Sequence, residues 1–254
     1  MNLSTCASLE PPLLIGLASR VNARDLGGYP TAFGTTQSHR FVRCGGTQGL
    51  TARELATLRG WGVSRVLDLR GIGESPRLTC RLAREPWVAW KNVSLYGHDI
   101  SSSELSPAHD TNNYLASSYL HMLGARKALR HIFSWLSEAA AKECVLFHCA
   151  AGMDRTGILA MLLLGLVEVP REQIIADYAY SFGTPDEVRQ TMLHPLSPNP
   201  EHQGFTSYML NVRIEAISTV YDALVGAFGT TRTYLEHCGV DSAKLDAVYA
   251  HLLG

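Results

Sequence analysis

One segment in the second half of the chain constrains the fold more than any other. Residues 144–148 form a short apolar run with the length and composition of a central β-strand. Small residues and a glycine follow at 149–153, and the stretch 156–167 is apolar nearly all round, which predicts a buried helix. A strand that passes through a tight loop into a buried helix is typical of an α/β fold, in which helices flank a mostly parallel central sheet.

Strands and helices alternate over the first two thirds of the chain, which supports the same fold class. Thr51 and Glu54 have the spacing of a capping box, so a helix is expected to begin there and to end near Arg59. The last third has helical patterns throughout and is expected to pack over one face of the sheet or to form a lid. Further strands are predicted at 39–44, 63–69 and 87–95, loops at 22–33 and 101–113, and helices at 114–136, 171–181, 185–193, 207–228, 231–238 and 241–253.

The composition is that of a folded protein. Of the 254 residues, 46% are apolar and 18% are charged, which is enough to bury a core. The net charge of −1 argues against the broad basic face that neutralises nucleic-acid phosphates. We expect a single domain over residues 13–254, after a poorly patterned lead-in at 1–12.

Neither a membrane span nor a signal peptide is expected. The longest apolar run, 157–167, is too short to cross a bilayer. The apolar stretch near the N-terminus has no basic region before it. These features predict a soluble protein located in the cytoplasm, with secretion by a route lacking a signal peptide left open.

The cysteines give no sign of a metal site or of a disulfide framework. They contain no C-x-x-C pair, and their spacing fits neither a zinc site nor a dense set of disulfides. We therefore expect free thiols in a reducing compartment, with no metal and no cofactor. The six cysteines are Cys6, Cys44, Cys80, Cys144, Cys149 and Cys238.

The loop after the predicted central strand has the residues of an anion site. Successive backbone N–H groups of such a loop point inward, and the dipole of the following helix adds partial positive charge. Arg155 adds a side chain that can bind two phosphate oxygens at once. The residues expected to surround a phosphate are Ala150, Ala151, Gly152, Met153, Asp154 and Arg155.

Cys149 is the predicted nucleophile of this site. A thiol at a helix N-terminus beside a cation has a pKa well below that of a free cysteine, so Cys149 should ionise readily. A thiolate that faces a bound phosphate can attack phosphorus and form a phosphocysteine intermediate. The alternative is that Cys149 is an unreactive buried thiol, which is common for cysteine.

The string HCAAGMDRTG at 148–157 resembles the active-site loop of cysteine-dependent protein-tyrosine phosphatases, HCxxGxxR[ST]G. It is most similar to the bacterial tyrosine and dual-specificity branch, whose loop reads HCxxGKDRTG. The resemblance covers the chain from residue 13 to the C-terminus and implies the α/β fold of that family, with a helical lid over the pocket. Further segments similar to motifs of the branch are NARDLGGY at 22–29, FVRCG at 41–45, VLDLR at 66–70 with Glu74, IIADYAYS at 174–181 and YLEHCG at 234–239.

The resemblance implies a role for each chemical group of the loop. Cys149 is the nucleophile, Arg155 binds the phosphate, and the Thr156 hydroxyl donates a hydrogen bond to the cysteine sulfur. His148 orients the loop, although a core histidine with satisfied hydrogen bonds is an equally good interpretation.

The general acid is left open between two aspartates. Asp154, inside the loop, is the acid proposed for the branch; alternatively it braces Arg155 or a loop amide. Asp68, at the end of a predicted strand, is the second candidate; alternatively it forms an ion pair with Arg24 or Arg70. Proton donation to the leaving oxygen typically contributes about 10²–10⁴-fold in rate.

The flanking motifs either line the pocket or support it. Arg24 is interpreted as an ion-pair partner that fixes the N-terminal segment against the sheet, and alternatively as a wall of the pocket. Arg43, Arg70 and Glu74 are predicted to be support or rim residues.

Two positions depart from the pattern of the branch. Met153 replaces a lysine, so we expect weaker activity toward polyphosphorylated lipids and a preference for aryl phosphates. Cys44 replaces a serine; a buried thiol is the simpler interpretation, and a resolving thiol that protects Cys149 as a disulfide is the alternative.

Together these features predict a metal-independent phosphatase that hydrolyses phosphotyrosine in proteins or peptides and releases inorganic phosphate. Activity on phosphoserine and phosphothreonine depends on the depth of the pocket, which the sequence does not give. The alternatives are a phospho-binding module with weak or lost catalysis, a phosphoinositide phosphatase, and a sulfurtransferase-like or arsenate-reducing thiol enzyme. No nucleic-acid partner is expected.

Overall fold

The computed structural model has the α/β architecture that the sequence predicts. Three sequence predictions fall wholly or mostly outside the residues that it describes: the lead-in at 1–12, the loop at 101–113 and the helix at 185–193. The structure describes residues 13–17, 22–71, 73–74, 79–96, 114–183, 186–188, 192 and 205–254.

The described strands are β1 (Leu13–Leu14), β2 (Arg24–Asp25), β3 (Pro30–Thr31), β4 (Gly34–Thr35), β5 (Phe41–Cys44), β6 (Val63–Asp68), β7 (Ala89–Asn92) and β8 (Cys144–His148). β3 and β4 pair with each other, and the other strands form one sheet in the order β1-β2-β5-β8-β6-β7. β8 lies between β5 and β6, and β5, β8, β6 and β7 run parallel. β1 and β2 add an antiparallel edge. The predicted central strand is thus confirmed in place and in length.

The register of the central strands brings three chain segments to one edge of the sheet. Cys44, the last residue of β5, and Asp68, the last residue of β6, both pair with His148, the last residue of β8. Parallel strands that end in register send their following loops to the same edge, which is where open α/β sheets bind ligands. Because Cys149 follows His148 directly, the predicted nucleophile lies at this edge.

The described helices are α1 (Ala52–Gly60), α2 (Tyr114–Leu123), α3 (Arg126–Leu136), α4 (Asp154–Leu166), α5 (Arg171–Ala179), α6 (Phe205–Phe228), α7 (Thr231–His237) and α8 (Ser242–Leu253), with a short 3-10 helix at Leu82–Arg84. The capping box of α1 is present, since the Thr51 side chain accepts from the Glu54 N–H and the Glu54 side chain accepts from the Thr51 N–H. The predicted helical C-terminal region is also confirmed, apart from shifts at the helix ends.

The single long helix predicted at 114–136 is wrong, because the chain forms α2 and α3 instead. Gly124 and Ala125 separate them, and Ala125 has a ψ of 57°, outside the helical region. Glycine is unfavourable in the interior of a helix, so the helix tends to break here. Each of the two helices also has its own packing partners: α2 contacts α4 and α6, whereas α3 contacts α8. A continuous helical pattern of apolar residues does not show this change of partner.

The helix that follows the central strand is buried on every side, as its composition predicts. Every residue of α4 from Arg155 to Leu166 is buried. Side chains of β8 alternate between two apolar clusters, with Val145 and Phe147 in the one that contains α4, and Cys144 and Leu146 in the other. The strand and helix on either side of the Cys149 loop are therefore held by the core, which fixes the position of the loop.

The segment 22–33 contains more regular structure than the predicted loop. Arg24 and Asp25 form β2 by pairing with Arg43 and Val42 of β5. Both side chains are buried in polar contacts, which local composition does not reveal. Within the described residues, no helix combines the length and the hydropathy that a membrane span requires.

Candidate active site

The loop between β8 and α4 can curl tightly because residue 152 is a glycine. Gly152 has a φ of +74°, a region that favours glycine, and a Cβ built there would lie 2.5–2.6 Å from backbone atoms of Cys44 and Gly45. The Gly46 N–H donates to the Ala150 carbonyl at 2.7 Å, which fastens the loop to the chain after β5. Any side chain at residue 152 would push the loop away from the edge of the sheet.

Cys149 lies at the base of this loop, with 2% of its surface exposed. Burial raises the pKa of its thiol, but several groups that favour the thiolate outweigh burial, and the pKa is lowered. These groups are the hydroxyl and backbone N–H of Thr156, the charge of Arg155 and the backbone N–H of Gly152. Within the described residues, the buried Thr156 hydroxyl makes no hydrogen bond to nitrogen or oxygen, so its proton is free to point to the sulfur. The site therefore favours an ionised nucleophile.

Arg155 is held at the N-terminus of α4 by a carboxylate and a ring. Its Nη1 and Nη2 donate to the two oxygens of Glu74 at 2.5 and 3.0 Å. Its guanidinium carbon lies 4.9 Å from the ring centre of Tyr96, which is 53% exposed. The hydrogen bonds from Arg155 lower the pKa of Glu74, so this carboxyl stays charged. Glu74, predicted to be a support or rim residue, thus fixes the plane of the guanidinium.

Asp154 is partly exposed, with 38% of its side chain accessible. Its Oδ1 accepts from the Tyr119 hydroxyl at 2.5 Å and from Arg213 Nη1 at 3.0 Å. The alternative in which Asp154 braces Arg155 or a loop amide is not observed in the described part of the chain. The partners of Asp154 come instead from α2 and α6.

The Asp154 contacts extend into a small buried network. The hydroxyls of Tyr119 and Tyr178 are hydrogen-bonded, and burial raises the pKa of Tyr119 and raises that of Tyr178 to about 12. Arg213 lies 3.5 Å from the Tyr178 hydroxyl and stacks 4.1 Å from the ring centre of Phe182. Sequence reasoning missed Tyr119 and Arg213. Tyr178 lies in the segment 174–181 that resembles the family, but the motif alone did not show what it contacts.

Asp68 is fully buried and paired with a neighbour in the chain. Its two oxygens accept from Arg70 Nε at 2.9 Å and from Arg70 Nη2 at 2.7 Å. Of the two ion-pair partners considered for Asp68, the structure therefore shows Arg70; Arg24 has a different partner. A fully buried carboxylate that is already paired with an arginine is poorly suited to give a proton to a leaving group, which argues against Asp68 as the general acid.

The two ring nitrogens of His148, at the end of β8, have different neighbours. Its Nδ1 lies 3.0 Å from the carbonyl oxygen of Cys149, and its Nε2 lies 3.5 Å from Cys80 Sγ. Burial opposes the charged imidazole, but the Cys80 contact and the charge of Asp68 outweigh it, so the pKa of His148 is raised. Cys44 is a buried thiol, and burial raises its pKa well above the ordinary value.

A buried ion cluster supports the loop from behind. Asp177 accepts from Arg24 Nε at 3.0 Å and from Arg43, and the Tyr29 hydroxyl donates to it at 3.0 Å. Burial opposes the charge of Asp177, but the two arginines outweigh it and lower its pKa. Arg43 Nη2 also donates to the Gly152 carbonyl at 3.1 Å.

Arg24 belongs to this buried cluster. Arg24 is 1% exposed and paired with Asp177, which favours its interpretation as an ion-pair partner over the alternative of a pocket wall. The sequence analysis did not single out Asp177, because its partners lie more than a hundred residues away in the chain. The only indication was that Asp177 lies in the segment 174–181, which resembles a motif of the family. The Asn22 side chain adds a further hydrogen bond to the Gly152 carbonyl, at 3.3 Å.

Comparisons with known proteins point to one family. The model of the tyrosine phosphatase family matches residues 15–254. A tyrosine-protein phosphatase of Nostoc commune is 28% identical over 222 residues, which are 84% of this chain and 74% of the relative. The triple specificity protein phosphatase PtpB of Mycobacterium tuberculosis is 26% identical over 272 aligned positions, which cover 92% of this chain and 96% of the relative.

A mostly parallel sheet, with a cysteine loop that leads from its central strand into a buried helix, is consistent with a phosphatase-like α/β fold. The chain belongs to the tyrosine phosphatase family. It is accordingly a phosphatase, a hydrolase of phosphate esters.

Proposed function

We propose that this protein hydrolyses phosphotyrosine in proteins or peptides through a phosphocysteine intermediate on Cys149. The observation that carries the proposal is the environment of Cys149, where Thr156, Arg155 and the loop N–H groups favour the thiolate at the N-terminus of α4. The same groups are suited to the dianion of a phosphate ester. The nucleophile and the phosphate site are therefore built from one loop.

The first chemical step transfers the phosphoryl group to sulfur. The Cys149 thiolate attacks phosphorus, the S–P bond forms, and the P–O bond to the tyrosine oxygen breaks with its electron pair leaving on that oxygen. Arg155 neutralises charge on the other phosphate oxygens. In the second step water attacks phosphorus, the thiolate leaves, and inorganic phosphate is released.

Asp154 is the proposed general acid of the first step. Of the two aspartates considered, it is the exposed one, and it begins the helix that carries Arg155. Its protonated form would give a proton to the leaving oxygen, and the resulting carboxylate would be stabilised by Arg213 and Tyr119. Phosphotyrosine is the favoured substrate because a phenolate needs less help from a proton than an alkoxide does.

The M. tuberculosis relative is named a triple specificity protein phosphatase. We propose that this chain belongs to the bacterial branch with the HCxxGKDRTG loop and that it also accepts phosphoserine and phosphothreonine, more slowly than phosphotyrosine. Met153 in place of the lysine of that branch supports weak activity toward phosphoinositides.

Trapping the intermediate tests the proposal. Wild-type protein quenched in acid during turnover of a phosphotyrosine peptide should carry one phosphate on Cys149, located by mass spectrometry. Cys149→Ser should show no measurable turnover and no trapped phosphate while still binding the peptide. Cys238→Ser, which alters a buried thiol elsewhere, should behave as wild type. Turnover by Cys149→Ser, or phosphate trapped on another residue, would contradict the proposal.

A further inference from the structure

Three potential metal ligands converge behind the catalytic loop. Asp68 lies at the end of β6, His148 at the end of β8, and Cys80 in the segment before the 3-10 helix. All are buried, and their ligand atoms lie within 4.8 Å of one another. His148 Nε2 is 3.5 Å from Cys80 Sγ and 3.9 Å from Asp68 Oδ2. The proposed mechanism uses neither Cys80 nor Asp68.

The arrangement around His148 does not suit a second thiol nucleophile. In a catalytic relay the nucleophile and the carboxylate lie on opposite nitrogens of the imidazole. Here the sulfur of Cys80 and the oxygen of Asp68 both face Nε2, while Nδ1 is directed to the Cys149 carbonyl. A sulfur, an oxygen and a nitrogen that face one point form a suitable environment for a cation.

Each of the three ligands is already oriented by an outer partner. His148 Nδ1 lies 3.0 Å from the Cys149 carbonyl, and Asp68 accepts two hydrogen bonds from the Arg70 side chain. Cys80 Sγ lies 3.2 Å from the Thr47 hydroxyl. Metal-binding histidines usually donate their second N–H to a carbonyl or carboxylate, and metal-binding carboxylates are themselves hydrogen-bonded. The cluster thus has the outer contacts of a metal site as well as the ligands.

We propose that Asp68, Cys80 and His148 form a zinc site. One thiolate, one imidazole and one carboxylate are the ligand types that Zn²⁺ takes in proteins. Ligand atoms on a tetrahedral zinc are separated by about 3.3–3.7 Å, given bond lengths of about 2.0–2.3 Å. The separation of 3.5 Å between His148 and Cys80 lies within this range, that of 3.9 Å between His148 and Asp68 lies just above it, and that between Cys80 and Asp68 is within 4.8 Å. The fourth position is left to water.

Binding displaces protons and leaves the oxidation states unchanged. Zn²⁺ takes a lone pair from the thiolate of Cys80 and one from the neutral Nε2 of His148, so the protons held by these groups go to solvent. The spacing of the cysteines along the chain gave no zinc motif, because the three ligands come from separate segments that the sheet brings together.

Metal binding is tested in the full chain with Cys149→Ser, which removes the catalytic thiolate as a competing ligand. Co²⁺ is the probe, since a cobalt–thiolate bond gives a charge-transfer band in the near ultraviolet. We expect one Co²⁺ bound per chain, a thiolate band, and displacement of the cobalt by Zn²⁺. Adding Cys80→Ser should remove the band, whereas adding Cys44→Ser, the matched change of a neighbouring buried thiol, should leave it intact.

Two outcomes overturn the proposal: no thiolate band in Cys149→Ser, or a band that survives the loss of Cys80. Thermal unfolding gives an independent readout, since Zn²⁺ should raise the melting temperature of Cys149→Ser and not that of the variant that also lacks Cys80. Cys80→Ala replaces Cys80→Ser if the latter does not fold, and a missing band in Cys149→Ser overturns the proposal without either variant. None of these measurements depends on phosphatase activity, so the zinc site and the proposed function can fail separately.

Discussion

The two sides of the Cys149 loop contain the same kinds of charged residue, but one side is buried and the other is partly exposed to solvent. Behind the loop lies a rear network of fully buried ion pairs, Asp177 with Arg24 and Arg43, and Asp68 with Arg70. In front lie the front pairs, Arg155 with Glu74 and Asp154 with Arg213, whose carboxylates are 36% and 38% exposed. Each side contains arginines and carboxylates, and the difference is access to solvent.

This difference assigns separate tasks to the two sides. A buried ion pair that loses one partner leaves an unpaired charge in the interior, so the rear network holds one geometry of the loop and cannot easily be rearranged. A partly exposed pair contributes little to stability and can open. The front pairs are therefore suited to contacts that change during a reaction, and the rear network to contacts that do not.

Removing the central charge of the rear network should give the largest effect. Asp177→Asn leaves two buried arginines without their carboxylate and should lower the free energy of unfolding by about 3–5 kcal/mol. Asp222→Asn, which breaks the exposed pair with Arg171, should lower it by less than about 1 kcal/mol. Denaturant unfolding of both variants measures the contrast, and similar small losses would remove the distinction between the two sides.

The contribution of Asp177 to the free energy of unfolding should also depend on pH. The pKa of Asp177 is lowered in the folded protein, so its contribution is complete above the ordinary carboxyl pKa and is lost as pH falls through the lowered value. The difference in stability between wild type and Asp177→Asn should therefore narrow in acid. A constant difference would mean that Asp177 acts through its shape and not through its charge.

A substitution of Asp154 tests the role of the front pairs. Asp154→Asn should slow substrates with poor leaving groups by about 10²–10⁴-fold and those with good leaving groups much less, because only the former need the proton. The free energy of unfolding should change little. A series of aryl phosphates provides the comparison, and equal slowing of all of them would exclude Asp154 as the acid.

Thr156 tests the nucleophile of the loop between the two sides. Thr156→Val removes the hydroxyl that favours the Cys149 thiolate. We expect wild-type activity to fall as pH drops through the pKa of Cys149. In the variant this acidic limb of the pH–activity profile should move up by about one pH unit, as expected for the loss of one hydrogen bond to a charged group. Thr156→Ser keeps the hydroxyl and should leave the limb in place; a shift in both variants would point to packing instead.

Substitution of Met153 should have the smallest effect on activity. Met153→Lys adds one cation at the start of α4 and should raise turnover of phosphoinositides by less than about tenfold, since a partly exposed charge contributes about 1 kcal/mol or less. Turnover of a phosphotyrosine peptide should change little. Met153→Leu is the uncharged control, and an equal gain with both substrates would mean that the charge does not select the lipid.

Sequence reasoning succeeded where the interacting residues are adjacent in the chain. The central strand, the glycine of the loop, Cys149 and Arg155 all lie within one short segment. Their spacing indicated the fold class, which the structure confirms, and it predicts the anion site. Asp68 and Arg70 are also neighbours, and their ion pair was one of the alternatives considered.

The sequence could not predict contacts that depend on how distant elements pack. Asp154 meets Arg213 and Tyr119 only because α6 and α2 both pack beside the start of α4. The break between α2 and α3 has the same origin, since each helix packs against different partners. The cluster of Asp68, Cys80 and His148 exists only once β6 and β8 are aligned in register.

The ionisation of Cys149 itself can be followed directly. The difference in ultraviolet thiolate absorbance between wild type and Cys149→Ser, followed as a function of pH, reports the titration of this one sulfur. We expect it to titrate clearly below an ordinary cysteine, with the activity falling along the same curve on the acidic side. A titration at or above the ordinary cysteine value would mean that this loop does not hold Cys149 as a thiolate.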